Sequence, residues 1–145
     1  TRLGLERMGH ELVVSALDEG CSARAPGKPC DSMLSLYVPW AGGLGLLAHI
    51  AVERVRYAPN AEPGVSGEVE YSMLSALKFE KDGIRVLEQV VAKSEDGREL
   101  RKAERERLLS FERGKLTPNE ESIWPRIFIA EGPKKTDEGS SPDVP

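Results

Sequence analysis

The residues able to do chemistry in this chain are few. There are two histidines, His10 and His49, and two cysteines, Cys21 and Cys30. Asp31 follows Cys30 and borders a long uncharged stretch. A histidine base working with a carboxylic acid is the usual apparatus for moving a proton on and off a substrate. His10, His49 and Asp31 are therefore the candidate catalytic residues. Each also has a plainer reading: Asp31 as a helix N-cap, the histidines as structural or surface residues. Met33, Tyr37 and Trp40 either line a site or pack a core. Gly42, Gly43 and Gly45 let a ligand approach the backbone closely, yet they follow neither the dinucleotide nor the P-loop spacing. Two cysteines without companion ligands do not make a zinc site, and neither a metal nor a cofactor is expected.

The elements that must position these residues follow from apolar periodicity. His10 to Ala16 is rich in Val and Leu and ends at Asp18-Glu-Gly20, the pattern of a strand closed by a turn. Asp31 and Ser32 precede the apolar run as N-caps precede a helix, and Gly42-Gly43 stand where such a helix would stop. Pro39 inside that span shortens or kinks the helix. Leu46 to Tyr57, Glu68 to Phe79 and Ile84 to Lys93 read as strands. Lys81-Asp-Gly83 and Glu95-Asp-Gly-Arg98 read as hairpin turns. Glu99 to Phe111 has apolar residues at helical spacing, but the turn before it favours a further antiparallel strand, and strand is the reading adopted. Leu116 to Ala130, with Trp124 and Phe128, docks on the body. A single domain over 1–130 and a disordered tail over 131–145 are expected.

Composition removes some function classes. The 145 residues carry a net charge of −4 with mixed signs, which disfavours nucleic acid as the partner. Met33 to Val52 has no charged residue and is long enough to span a bilayer. Its proline, glycines and histidine favour a buried helix and strand instead, so no membrane span is expected. Cys21 and Cys30 flank a turn-rich loop. They close a disulfide if the protein is periplasmic or secreted and remain thiols if it is cytoplasmic. No signal peptide is legible, and the cytoplasm is the expected location, with the periplasm or secretion as the alternative.

The order of elements resembles the hotdog fold, in which a curled antiparallel sheet wraps one central helix. Met33-Leu-Ser-Leu-Tyr-Val-Pro-Trp-Ala-Gly-Gly43 is similar to the central helix of the 3-hydroxyacyl-ACP dehydratases. Ala51-Val-Glu-Arg-Val-Arg-Tyr57, the turn at Gly64 and Asp96-Gly-Arg98 resemble the strand, turn and last hairpin that follow. Leu5-Glu-Arg7, Pro29, Asp31 and Ile50 to Arg56 have counterparts in the C-terminal half of polyketide synthase dehydratase domains. The resemblance implies an α+β hotdog-like fold and a homodimer. It implies action on, or binding of, an acyl thioester carried by CoA or acyl carrier protein, as a dehydratase or a thioesterase. Asp31 matches the family's acidic residue, and Met33, Tyr37, Trp40, Gly42 and Gly43 would line the acyl site. The family's histidine has no counterpart: Arg24-Ala-Pro-Gly-Lys-Pro29 occupies its place. A degenerate site is one consequence. The rival reading is a non-enzymatic secreted or envelope β-rich binding or inhibitor module with a Cys21–Cys30 disulfide.

Overall fold

The computed structural model describes residues 2–128. Its elements, in order, are strands β1 (Arg2–Met8), β2 (Glu11–Glu19), β3 (Cys30–Trp40), β4 (Gly43–Pro59), β5 (Glu68–Glu80), β6 (Gly83–Lys93), β7 (Glu99–Glu112) and β8 (Lys115–Pro118), followed by a 3-10 turn, Trp124–Phe128. The strands form one antiparallel sheet in sequence order, so every connection is a hairpin or short loop. The expected tail at 131–145 lies outside the described residues.

The α+β hotdog-like architecture is thereby corrected. Cys30–Trp40 is strand β3, where a central helix was expected. The physical reason is a period-2 pattern that the cap signals obscure. Leu34, Leu36 and Val38 join one apolar cluster, while Asp31, Met33, Ser35 and Tyr37 alternate with them. Asp31 is accordingly no N-cap. Pro39 breaks no helix but sits within the β3–β4 ladder opposite Leu44, and Gly42 lies in a two-residue turn closed by the Trp40–Gly43 pair. Residues 2–8, ahead of the first strand read from the sequence, form the edge strand β1. Glu99–Glu112 is a strand, as the hairpin logic had it.

β4 is the longest strand, at 17 residues, and it bends the sheet. Leu36 pairs with Ala48 but Tyr37 with Leu46, so Leu47 is extra; Met33 pairs with Ala51 but Ser32 with Glu53, so Val52 is extra. Such bulges bend a strand and increase its twist. Only Glu53–Pro59 of β4 pairs with β5; the first half parts from it. The curl brings β1 against β5 and β4 against β8. At the β1–β2 turn a side chain on Gly9 would collide with the carbonyl of Lys81, 2.5 Å from where its Cβ would be. Gly83 serves a similar purpose, since its Cβ would lie 2.0 Å from the Leu109 carbonyl.

Two apolar clusters fill the curl. One holds Val69, Tyr71, Met73, Val90, Ala92, Ile123, Trp124 and Ile127. The other holds Met8, Val13, Leu36, Ile50, Ile84, Val86 and Leu109.

Cys21 and Cys30 form a disulfide, with their Cα atoms 5.1 Å apart. The bridge closes the β2–β3 loop, which lies over β4 and β5: the Cys21 amide donates to Ser32 Oγ (2.9 Å), and Arg24 reaches Tyr57 Oη (3.2 Å) and Glu70 (3.7 Å). A loop this short loses about 2.5 kcal/mol of stabilisation on opening, in the chain-entropy account. Replacing both cysteines by alanine is expected to lower the melting temperature by about 10 °C. Scanning calorimetry of wild type and variant checks this, and a shift under about 2 °C would show that the loop is held by its polar contacts alone.

Candidate binding cavity

Inward positions of β6 are apolar at Ile84, Val86, Val90 and Ala92, and charged at Glu88, which is 1% exposed. Glu88 falls between the two clusters: Ile84 and Val86 belong to one, Val90 and Ala92 to the other. A buried carboxylate must be paired and hydrogen-bonded to be tolerated there. Arg107 of β7 donates to one of its oxygens (3.1 Å), and the Ile123 amide to the other (2.8 Å).

A cavity of about 530 Å³ opens at this boundary. Apolar walls come from both clusters: Met73, Ala51 and Trp124 on one side, Ile50, Leu109 and Leu116 on the other. Arg54, Glu88 and Arg107 line it as well, and exposed His49 stands at its rim.

The arginines are incompletely satisfied. Arg56 takes Asp31 with a two-pronged bond, 3.0 Å to each carboxylate oxygen, and donates also to the carbonyls of Cys30 (3.0 Å) and Val55 (2.8 Å). Arg54 is left 3.7 Å from Asp31, with only the weak sulfur acceptor of Met33 at 4.0 Å. Nε of Arg54 and Nε of Arg107 are both buried without an acceptor among the described residues. Arg54, Arg56 and Arg107 face Asp31 and Glu88, so three cations meet two anions in a chain whose net charge is −4. An unsatisfied buried donor costs about 1–3 kcal/mol, which a ligand acceptor would recover.

The candidate residues from the sequence scatter around this arrangement. Met33 and His49 line the cavity. Asp31 lies behind Arg54, locked by Arg56. His49 pairs with Ser35, four residues along β3 from Asp31, about 13 Å at ordinary strand rise. His10 is exposed in the β1–β2 turn. Tyr37 lies in a row across four strands, Leu5–Val14–Tyr37–Leu46, whose two ends are largely exposed. Trp40 is 65% exposed, its ring packed over Gly42 and Gly45. Gly43 has a φ of +130°, which a side chain would strain. The sequence reading missed Arg54, Glu88 and Arg107. The signal for Glu88 was available, as the one charge in an inward-facing apolar alternation. Among the described residues, no three His, Cys, Asp or Glu side chains converge as a metal site requires.

A second buried pair seals the neighbouring cluster. Glu62 accepts both prongs of Arg101 (2.9 and 2.7 Å) and the Tyr71 hydroxyl (2.7 Å). Burial alone would raise the Glu62 carboxyl, but the bonds from Arg101 and Tyr71 and the charge of Arg101 outweigh it and hold it below 4.5. Burial, then the bond to Glu62, pushes the Tyr71 phenol up to about 12. The two signs differ. Stability from Glu62 is present above 4.5 and is lost as pH falls through its lower folded value; stability from Tyr71 is present below 10 and is lost as pH rises toward 12. Melting curves across pH are expected to fall off at both ends, with Glu62→Gln flattening the acid limb and Tyr71→Phe the alkaline one. Glu62→Gln should also cost about 2–3 kcal/mol at neutral pH, because it removes a counter-charge from Arg101. Unchanged limbs in both variants would show that other groups govern the pH response.

No protein-family model, no curated protein and no solved structure matches the chain.

Proposed function

We propose that this protein is a non-enzymatic binding module of an oxidising, extracytoplasmic compartment, and that its cavity takes an amphiphile with one anionic end. The observation that carries the reading is the pair of buried guanidinium Nε donors, Arg54 and Arg107, which lack acceptors and border one cavity. Apolar walls suit an aliphatic chain, and the excess cation suits a carboxylate or phosphate. The volume falls within the range of about 300–1,000 Å³ usual for small-ligand sites. The disulfide supports the compartment, since such bonds persist where thiols are not kept reduced. Binding is favoured over turnover because Asp31 is held by Arg56 and stands about 13 Å along the strand from His49. Partners on this reading are the free amphiphile and a second copy of the chain.

Calorimetric titration with dodecanoate, dodecanol and dodecanoyl-CoA tests it. Dodecanoate should bind at least about tenfold more tightly than the alcohol, since a charge-assisted bond contributes about 1.5–3 kcal/mol. Arg54→Met should erase the difference while the alcohol binds as before. Tighter binding of the thioester than of the free acid would identify a carried acyl group as the ligand and overturn the reading. Equal affinity for acid and alcohol in wild type, or no binding of any of the three, refutes the reading.

A further inference from the structure

Among the described residues the sheet has an open edge at β1, and that edge is complementary to itself. Leu3 and Leu5 are 73% and 67% exposed on one face of the strand, with Arg2, Gly4 and Glu6 alternating on the other. An edge strand presents unpaired amides and carbonyls to any chain able to add to it. We infer that a second copy of this chain adds there, β1 antiparallel to β1, about a two-fold axis at Gly4.

In that register Gly4 faces the partner's Gly4, Leu3 faces the partner's Leu5, and Arg2 faces the partner's Glu6. Symmetry repeats each contact, as an isologous interface requires. Two leucine pairs then lie on one face and two opposite-charge pairs on the other. Directly opposed residues across an antiparallel pair are the ones that interact. A slip of one residue would set Leu against Gly and undo both charge pairs. Glycine at the axis means that no side chain there faces its own copy across the two chains. β1 also approaches β5; Leu3 and Leu5 stay exposed, while Met8 at the far end of the strand is buried. The exposed row Leu46–Tyr37–Val14–Leu5 would continue into the partner through its Leu3 and Ala16.

The second copy is shared with the reading above, but the register stands on the edge strand alone and is tested without ligand. Arg2 lies 3.9 Å from Glu19 of its own chain, with both side chains exposed, so its reversal should leave the fold intact. Sedimentation equilibrium on the full chain should show a concentration-dependent dimer. Glu6→Arg places two arginines opposite each other in each half of the interface, and Arg2→Glu places two glutamates there. Either should weaken self-association at least about tenfold. An equimolar mixture of the two variants restores both opposite-charge pairs and should return association to within about threefold of wild type. The Arg2→Glu chain lacks the intrachain Arg2–Glu19 contact both alone and in the mixture, and the Glu6→Arg chain keeps it in both, so the recovery reports the cross-chain pairs alone. Circular dichroism confirms that each variant is folded. A wild type that stays monomeric up to about 1 mM, or a mixture that associates no better than its components, overturns the proposal.

Discussion

A row of arginines along β7 holds the interior together. Arg101 donates to the Ile127 carbonyl, Arg105 to that of Glu121 (3.0 Å) and Arg107 to that of Glu120 (3.3 Å), so one strand grips the segment that follows β8. Glu62 and Glu88 neutralise two of the three from below. Without those carboxylates the guanidiniums would carry a desolvation cost of several kcal/mol each. The register of β7 is therefore specified twice. A one-residue slip would turn the arginines to solvent and would also bury Glu104 and Glu106 in their place.

The same charges divide the core. Glu88 and Arg107 take inward positions that apolar side chains would otherwise fill, and the two apolar clusters meet at them without merging. The cavity lies at that seam. Its walls are apolar because the clusters end there, and its floor is polar because the ion pair sits there. Trp124 closes the seam from the C-terminal side, its ring edge-on to Phe128 with centroids 4.9 Å apart. Cavity and core division are one feature seen from two sides.

Much of the sheet was legible in the sequence; β1 and β3 were not, for identifiable reasons. β5, β6 and β7 alternate over long spans and are separated by Asp-Gly turns, so local pattern and global fold agree. In β3 they conflict. Asp31-Ser32 and Gly42-Gly43 mimic helix ends, and the span between them lacks the charges that usually mark an outward face. Its alternate positions are instead Met33, Ser35 and Tyr37, of which Met33 and Tyr37 read as core. β1 was overlooked because four or five alternating residues with a glycine among them make a weak signal. The site was less legible still. Asp31 was visible as a carboxylate, but its partner Arg56 is 25 residues away, and Arg107 is 19 residues from Glu88. Such pairings are set by strand register, which no local motif encodes.

The two halves of β4 explain where the protein can yield. The second half is paired with β5 and covered by the disulfide-closed loop, through Arg24, Tyr57 and Glu70. The first half, before the bulge at Val52, has left β5 and is paired through the main chain with β3 alone. It forms one wall of the cavity with Ala48, Ile50 and Ala51. Local opening is easiest where backbone pairing and burial are least. A ligand entering the seam would therefore displace this half-strand and leave the arginine-braced side of the sheet in place. The cavity thus has one stiff wall carrying Glu88 and Arg107 and one compliant apolar wall, and for the amphiphile proposed above this arrangement would fix the charged end while tolerating variation in chain length.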